Sequence, residues 1–370
     1  MKHVIYDYQI FLQQTYGGIS RYFYELARRI NKTQGFSAEI FAPLHTNAYL
    51  VSGNLDIFGR RVRKVPKIWR GYQAIDVALT AAYLALRRPS IVHETYYSGR
   101  FMTRKACPVV VTVYDMIHEK FQGMFKTDDR TSILKRRAVE FADMVICISE
   151  NTRRDLIEIF DVPEDKTVSI ALGFELDAAI DDEVKDASRA EAGPHYLLYV
   201  GSRDFHKNFS GFLEAFASSH LLRNNYSIVA FGGPPLSTAE AVMIDRLAIP
   251  RHKIIWRTGN DAALSALYRG ADAFVYPSLY EGFGIPPLEA MSRDCPVICS
   301  NTSSIPEVVG DAAALFDPGD IDAMRATIER VVGSEDVKSL LIERGRRRVE
   351  KFSWDQCAAE TALVYTQLLE

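Results

Sequence analysis

At 370 residues the chain is too long for one ordinary hydrophobic core and suits two domains of about 150–200 residues each. Its 48% hydrophobic and 25% charged residues are those of a globular protein, and a net charge of −3 excludes nucleic-acid binding as the default reading. The total hides an asymmetry: residues 1–180 hold 25 Lys/Arg against 20 Asp/Glu, and residues 181–370 hold 19 against 27, so the two halves meet different surroundings.

Short apolar runs alternate with amphipathic stretches in chain order, the pattern of parallel α/β sheets. In the first half His3–Tyr8, Glu39–Ala42, Ser90–His93, Val109–Tyr114 and Met144–Ile148 read as buried strands. Ser20–Ile30, Ile75–Arg87 and Ser132–Ala142 read as helices between them. An acidic stretch poor in large apolar residues, Gly173–Pro194, reads as the linker. The second half repeats the design with strands at Tyr196–Val200, Tyr226–Phe231, Lys253–Trp256, Ala273–Tyr276 and Pro296–Cys299. A final helix over Phe352–Glu370 opens on Ser353 as N-cap. The expectation is an α/β protein of two Rossmann-like domains, 1–175 and 190–352, with the carboxyl ends of both sheets facing one central cleft.

The five cysteines (Cys107, Cys147, Cys295, Cys299, Cys357) are odd in number, irregularly spaced and set in apolar stretches, which suits free thiols in a reducing compartment. No His or second Cys pair accompanies Cys295 and Cys299, so no metal site is expected. The N-terminus MKHVIYDYQIF carries no charged-then-apolar leader, and no run of about 18 apolar residues occurs. The expected location is therefore the cytoplasm, with no membrane span.

Several strand ends carry candidate chemistry. Tyr16-Gly17-Gly18-Ile19-Ser20-Arg21 follows the first strand and opens a helix, either as a functional glycine loop or with Ser20 as a plain N-cap. GRRVRKVPKIWRGY, residues 59–72, mixes six basic residues with Ile68, Trp69 and Tyr72; it suits an anionic membrane surface or a solvated loop. His93 and Glu94 end one strand, and VTVYDMIHEKF places Tyr114, Asp115 and His118 at the end of the next. In YVGSRDFHKN, Arg203 and Lys207 lie just past a strand, where two cations suit a doubly charged leaving group. In YRGADAFVYPSLYEGFGIPPLEAM a strand runs into a loop holding Glu281, Gly282, Phe283, Gly284 and Ile285. Pro286 and Pro287 then open a helix that carries Glu289. Glycines there let a backbone approach a ligand, and the two carboxylates can hold a sugar and a ribose diol; a plain strand–turn–helix with solvated glutamates is the alternative.

The last segment resembles the Glu-x7-Glu signature of glycosyltransferase family 4, the retaining group 1 glycosyltransferases of GT-B fold. LYRGADAFVYPS upstream and SNTSSIPEVVGDAA downstream extend that resemblance over about fifty continuous residues. The resemblance implies that Glu281 contacts donor-sugar hydroxyls, that Glu289 holds the ribose, and that amides around Phe283–Ile285 face the sugar and diphosphate. It implies that Arg203 and Lys207 grip the diphosphate and that the Gly17–Gly18 loop approaches it. The family often has Thr-Val-His-Asp, with the His reaching the donor sugar, where this chain has Tyr114 and Asp115; either the Tyr114 hydroxyl takes its place, or His118 enters the cleft, or His118 is an ordinary loop residue. His93 and Glu94, by their place at a cleft-facing strand end, are candidate acceptor contacts, and by resemblance helix 353–370 crosses back to the first domain. The implied activity is metal-independent hexosyl transfer with retention. The SRDFHKN and SLYEGFGIPPLE segments are similar to bacterial mannosyltransferases of surface polysaccharide assembly. They make GDP-mannose the first donor expected and a UDP-sugar the second, with a glycan or polyprenyl-linked acceptor and no further cofactor. A sugar-nucleotide epimerase, a phosphorylase and a non-catalytic nucleotide-sugar-binding subunit stay open, as does peripheral contact with the inner face of the plasma membrane through 59–72.

Overall fold

The computed structural model describes residues 1–51, 57–97, 106–126, 128–174 and 193–370. Most of the stretch read as the linker lies outside them. The chain divides into two compact units, one of Met1–Gly173 with Phe352–Glu370 and one of Phe174–Lys351.

The first unit is built on seven strands: β1 (Lys2–Tyr6), β2 (Phe36–His45), β3 (Ile57–Arg61), β4 (Ile91–Glu94), β5 (Val109–Val113), β6 (Met144–Cys147) and β7 (Thr167–Ser169). They lie in the order β3-β2-β1-β4-β5-β6-β7, and every pairing is parallel. The second unit has β8 (Tyr196–Val200), β9 (Ser227–Phe231), β10 (Ile254–Arg257), β11 (Ala273–Tyr276), β12 (Val297–Ser300) and β13 (Ala314–Phe316), in the order β10-β9-β8-β11-β12-β13. Central strands such as β5 and β8 are buried along their whole length, because helices cover both faces of a parallel sheet. Strand order reverses between β1 and β4 and between β8 and β11. These reversals open crevices at the carboxyl ends, where such sheets bind ligands.

The strands that escape a reading of the sequence are β3, β7 and β13, each short and each at a sheet edge. An edge strand is paired on one side only and needs no continuous apolar run; β3 carries just Ile57 and Phe58 before GRR. The helix expected over Ile75–Arg87 begins earlier, at Trp69, so half of the basic segment is strand and helix. The C-terminal helix Trp354–Gln367 belongs to the first unit, and the Ser353 hydroxyl caps it by accepting from the Gln356 amide at 3.0 Å. In the second unit Leu197, Tyr199, Phe212, Leu213, Phe216 and Ile228 form the centre of a buried cluster against which its helices pack.

Candidate functional site

Two loops of the second unit meet at its strand-order reversal. The loop after β8 holds Arg203 and Lys207, and the loop after β11 holds Glu281. The Leu279 amide donates to the His206 carbonyl at 2.7 Å, which ties the loops together through their backbones. Lys207 Nζ then reaches both carboxylate oxygens of Glu281, at 2.7 and 2.9 Å. The same ammonium lies 5.6 Å from the centre of the Tyr276 ring, and the Tyr276 hydroxyl is hydrogen-bonded to Glu281. Burial first, and then the Glu281 charge, push the Tyr276 hydroxyl well above its ordinary pKa, so it stays a donor.

Arg203 is held more tightly. Its Nε donates to Glu240 at 2.5 Å and its Nη1 to the Gly232 carbonyl at 3.2 Å, while Nη2 donates to the Pro234 carbonyl. The guanidinium therefore lies along the loop after β9, with two of its five N–H groups left over among the described residues. Burial works to raise the Glu240 pKa, but the Ser237 amide and hydroxyl and the Arg203 charge outweigh it and hold the carboxyl below its usual range. Gly233, at φ +64°, takes the left-handed conformation that favours glycine, and a side chain there would be crowded. A Cβ there would lie 3.3 Å from Ser202 Cα and 3.4 Å from Arg203 Nη1.

The Glu281 loop is clamped by three consecutive hydroxyls. Thr302 Oγ1 donates to the Leu279 carbonyl at 3.1 Å, and Ser303 Oγ accepts from the Glu281 amide at 2.9 Å. Ser304, fully buried, places its hydroxyl 2.9 Å from the Glu281 carbonyl and 2.7 Å from that of Phe283. Glu281, Gly282, Phe283 and Gly284 are all buried. The helix Ile285–Met291 follows with prolines in its first turn, and its Glu289 accepts from the Tyr268 hydroxyl at 3.1 Å. Sequence reasoning missed Glu240, Gly233, Tyr276 and the Thr302–Ser304 clamp. FGGPP after β9 was a visible signal for the glycine; nothing local marks the hydroxyls.

In the first unit, Gly17 is extended, and a Cβ on it would meet the Gln14 side-chain amide oxygen at 2.3 Å; Gly18 starts the helix Gly18–Ile30 with nothing within 4 Å of its Cβ position. Ser20 is not the N-cap: it lies inside the helix, and its hydroxyl donates back to the Gly17 carbonyl at 3.0 Å.

His93 as an acceptor contact is corrected. It is fully buried, with Nδ1 2.6 Å from the Tyr365 hydroxyl and Nε2 2.9 Å from Thr112 Oγ1. Burial drives its pKa down to about 3, so it is a neutral core residue linking β4 to β5 and the C-terminal helix. Tyr114 is buried too, and its hydroxyl donates to the Thr95 carbonyl at 3.1 Å. Asp115 accepts from the Ile117 amide at 3.1 Å and lies 3.7 Å from Lys135 Nζ. His118 stacks on Phe125 at 4.1 Å between centres and reaches Asp129 at 3.4 Å. Of the two candidates to replace the family histidine, Tyr114 has its proton engaged, whereas His118 keeps a quarter of its side chain exposed.

A family model described as Glycosyltransferase Family 4 matches residues 16–178, and one described as Glycosyl transferases group 1 matches 181–348. O-antigen chain mannosyltransferase B of Escherichia coli is 32% identical over 246 residues, which is 62% of each chain. The serotype-specific mannosyltransferase WbdA of Escherichia coli is 29% identical over 243 residues, 62% of this chain and 29% of that one. The matches thus span less than two thirds of the length of these relatives. In fold, the structure of HepE from Anabaena in complex with UDP and glucose superposes with a TM-score of 0.75 at 15% identity over 99% of both chains.

Proposed function

Because the chain belongs to the group 1 and family 4 glycosyltransferases and has their GT-B fold, we propose that it moves a hexose from a nucleoside diphosphate onto a glycan or polyprenyl-linked acceptor in cell-surface polysaccharide assembly. GDP-mannose is the first donor proposed and a UDP-sugar the second. The mannosyltransferase names of two relatives favour the first, and the UDP and glucose of the HepE complex keep the second in view. Transfer proceeds with retention and without a metal ion.

One observation carries the reading. Residues 74 apart in sequence, Lys207 and Glu281, form an ion pair at the carboxyl ends of the two strands flanking the switch point. In the proposed reaction the acceptor hydroxyl oxygen attacks the anomeric carbon on the face from which the diphosphate departs. The glycosyl–phosphate bond breaks as the new bond forms, and the acceptor proton passes to the departing phosphate oxygen. Lys207, the two remaining N–H groups of Arg203 and the amides near Phe283–Ile285 oppose the growing charge. Glu281 orients the hexose and Glu289 the ribose, while Gly17 and Gly18 give the diphosphate close access to backbone. The His118 side chain and Asp115 are the acceptor-side residues of the first unit under this reading.

The roles of the two glutamates test it. Glu289→Gln removes a contact made before and during reaction, so titration calorimetry should find free nucleoside diphosphate bound more weakly, with a raised KM for donor. Glu281→Gln frees Lys207 from its carboxylate, so the bare nucleotide should bind no more weakly than to the native protein. Turnover should nonetheless fall roughly tenfold or more, because the hexose loses its holder as the bond breaks. The opposite assignment of effects, or no effect of either change, sinks the proposal.

A further inference from the structure

The helix Trp69–Arg87 packs Leu84 against Phe41 and Val92 on its inner side, yet turns other aliphatic side chains to water. Asp76 and Thr80 on its inner side are fully buried, while Leu86 is 81%, Ile75 47% and Leu79 45% exposed. With Ala78 and Ala82 these three side chains fall on one arc of about 100° at 3.6 residues per turn. That arc holds no charged residue from Gly71 to Leu86. A helix facing water normally shows the reverse arrangement, charges outward and aliphatic side chains inward.

Charge surrounds the apolar arc at both ends. From Ile57 to Arg88 the chain has eight Arg or Lys residues and one acid, the buried Asp76. Six of the cations lie on β3, in the following loop and in the first helical turn; Arg87 and Arg88 close the other end. Ile68 and Val65, also exposed, continue the apolar surface toward the basic cluster.

We propose that this outer face is a docking surface for an anionic phospholipid bilayer. The aliphatic side chains enter the interfacial zone, and the flanking Arg and Lys side chains lie among the headgroups. It extends the contact considered for residues 59–72 onto the helix itself and stands apart from the donor chemistry. A second copy of the chain is the poorer occupant, since a two-fold contact would bring like-charged clusters together with no acid to meet them. The helix lies on the bilayer and does not cross it: among the described residues no helix is long and apolar enough to span a membrane, and the buried Asp76 ties this one to β2 through the Leu44 amide at 2.8 Å.

The test is co-sedimentation of the full chain with vesicles of phosphatidylcholine alone and with an equal mixture of phosphatidylcholine and phosphatidylglycerol. The native protein should sediment with the mixed vesicles only. The triple change Ile75→Ser, Leu79→Ser and Leu86→Ser should weaken that binding roughly tenfold or more. So should Arg60→Ser, Arg61→Ser, Arg63→Ser and Lys64→Ser together. Independently of these variants, brominated lipid in the mixed vesicles should quench the native tryptophan emission, and Trp69→Phe should remove most of that quenching. Native protein that ignores the mixed vesicles overturns the proposal. Serine variants that fold and bind unchanged overturn it as well. So does a concentration-dependent dimer that the triple serine change abolishes, which would assign the face to a second copy.

Discussion

Ser304 does its work through two carbonyl oxygens, those of Glu281 and Phe283, and never has to touch a ligand. Replacing it by alanine leaves both acceptors in a dry position, at a cost of about 1–3 kcal/mol. It also releases the stretch of backbone that aims the Glu281 carboxylate. Ser304→Ala should therefore lower the thermal midpoint and also cut kcat more than it raises KM, whereas Ser304→Thr should restore much of both. A lower midpoint with kcat unchanged would reduce Ser304 to a purely structural residue. Glu240 stands in the same relation to Arg203, fixing the guanidinium plane that would meet the diphosphate under the proposed function.

Among the elements, the helix Trp69–Arg87 carries a titration that follows from its buried carboxyl. Burial lifts the Asp76 carboxyl from 3.8 to about 7, with the Leu44 amide pulling the other way. Between those values the native state keeps a proton that the unfolded chain has released. Stability attributable to this group therefore falls as pH rises from about 4 to about 7 and stays low above that. Asp76→Asn removes the titration. It should leave the thermal midpoint near the native value around pH 4 and raise it relative to native around pH 8. An equal effect at both pH values would mean that Asp76 is ionised in the folded protein at pH 4 as well, its pKa not raised by burial. The element is thus held in place by Leu84, packed on Phe41 and Val92, and by the buried Asp76, while its exposed apolar face is the one proposed to meet a bilayer.

For the whole molecule, each unit has its own parallel sheet and its own strand-order reversal, but the cations and glutamates of the proposed donor site belong only to the second. Donor affinity should accordingly track changes in residues 201–289 and be insensitive to changes at His118. A thermal-shift screen against GDP-, UDP-, ADP- and dTDP-sugars checks the donor: a ligand at about 100 times its dissociation constant adds about 2.7 kcal/mol. The largest shift is expected with GDP-mannose, and a shift confined to another nucleotide would replace that assignment. If Arg203 and Lys207 take the place of a metal ion, transfer should run equally well in chelator and in magnesium. Loss of activity in chelator, restored by magnesium, would end the metal-free mechanism.

The sequence by itself determined the class of fold, because buried parallel strands are continuous apolar runs that need no partner to be seen. It also marked Arg203, Lys207, Glu281 and Glu289 by their places just past strand ends and at a proline-opened helix. Tertiary structure alone decided what those groups touch. The Lys207–Glu281 pair, the Glu240 hold on Arg203 and the hydroxyls of Thr302–Ser304 join segments from 21 to 74 residues apart, and no local pattern encodes such meetings. His93 shows the limit most clearly. At the carboxyl end of a strand it reads as a ligand contact, yet Tyr365, 272 residues away, fills the position beside it and leaves a neutral imidazole sealed in the core. Burial is a property of what packs against a side chain, and that is settled only when the chain has folded.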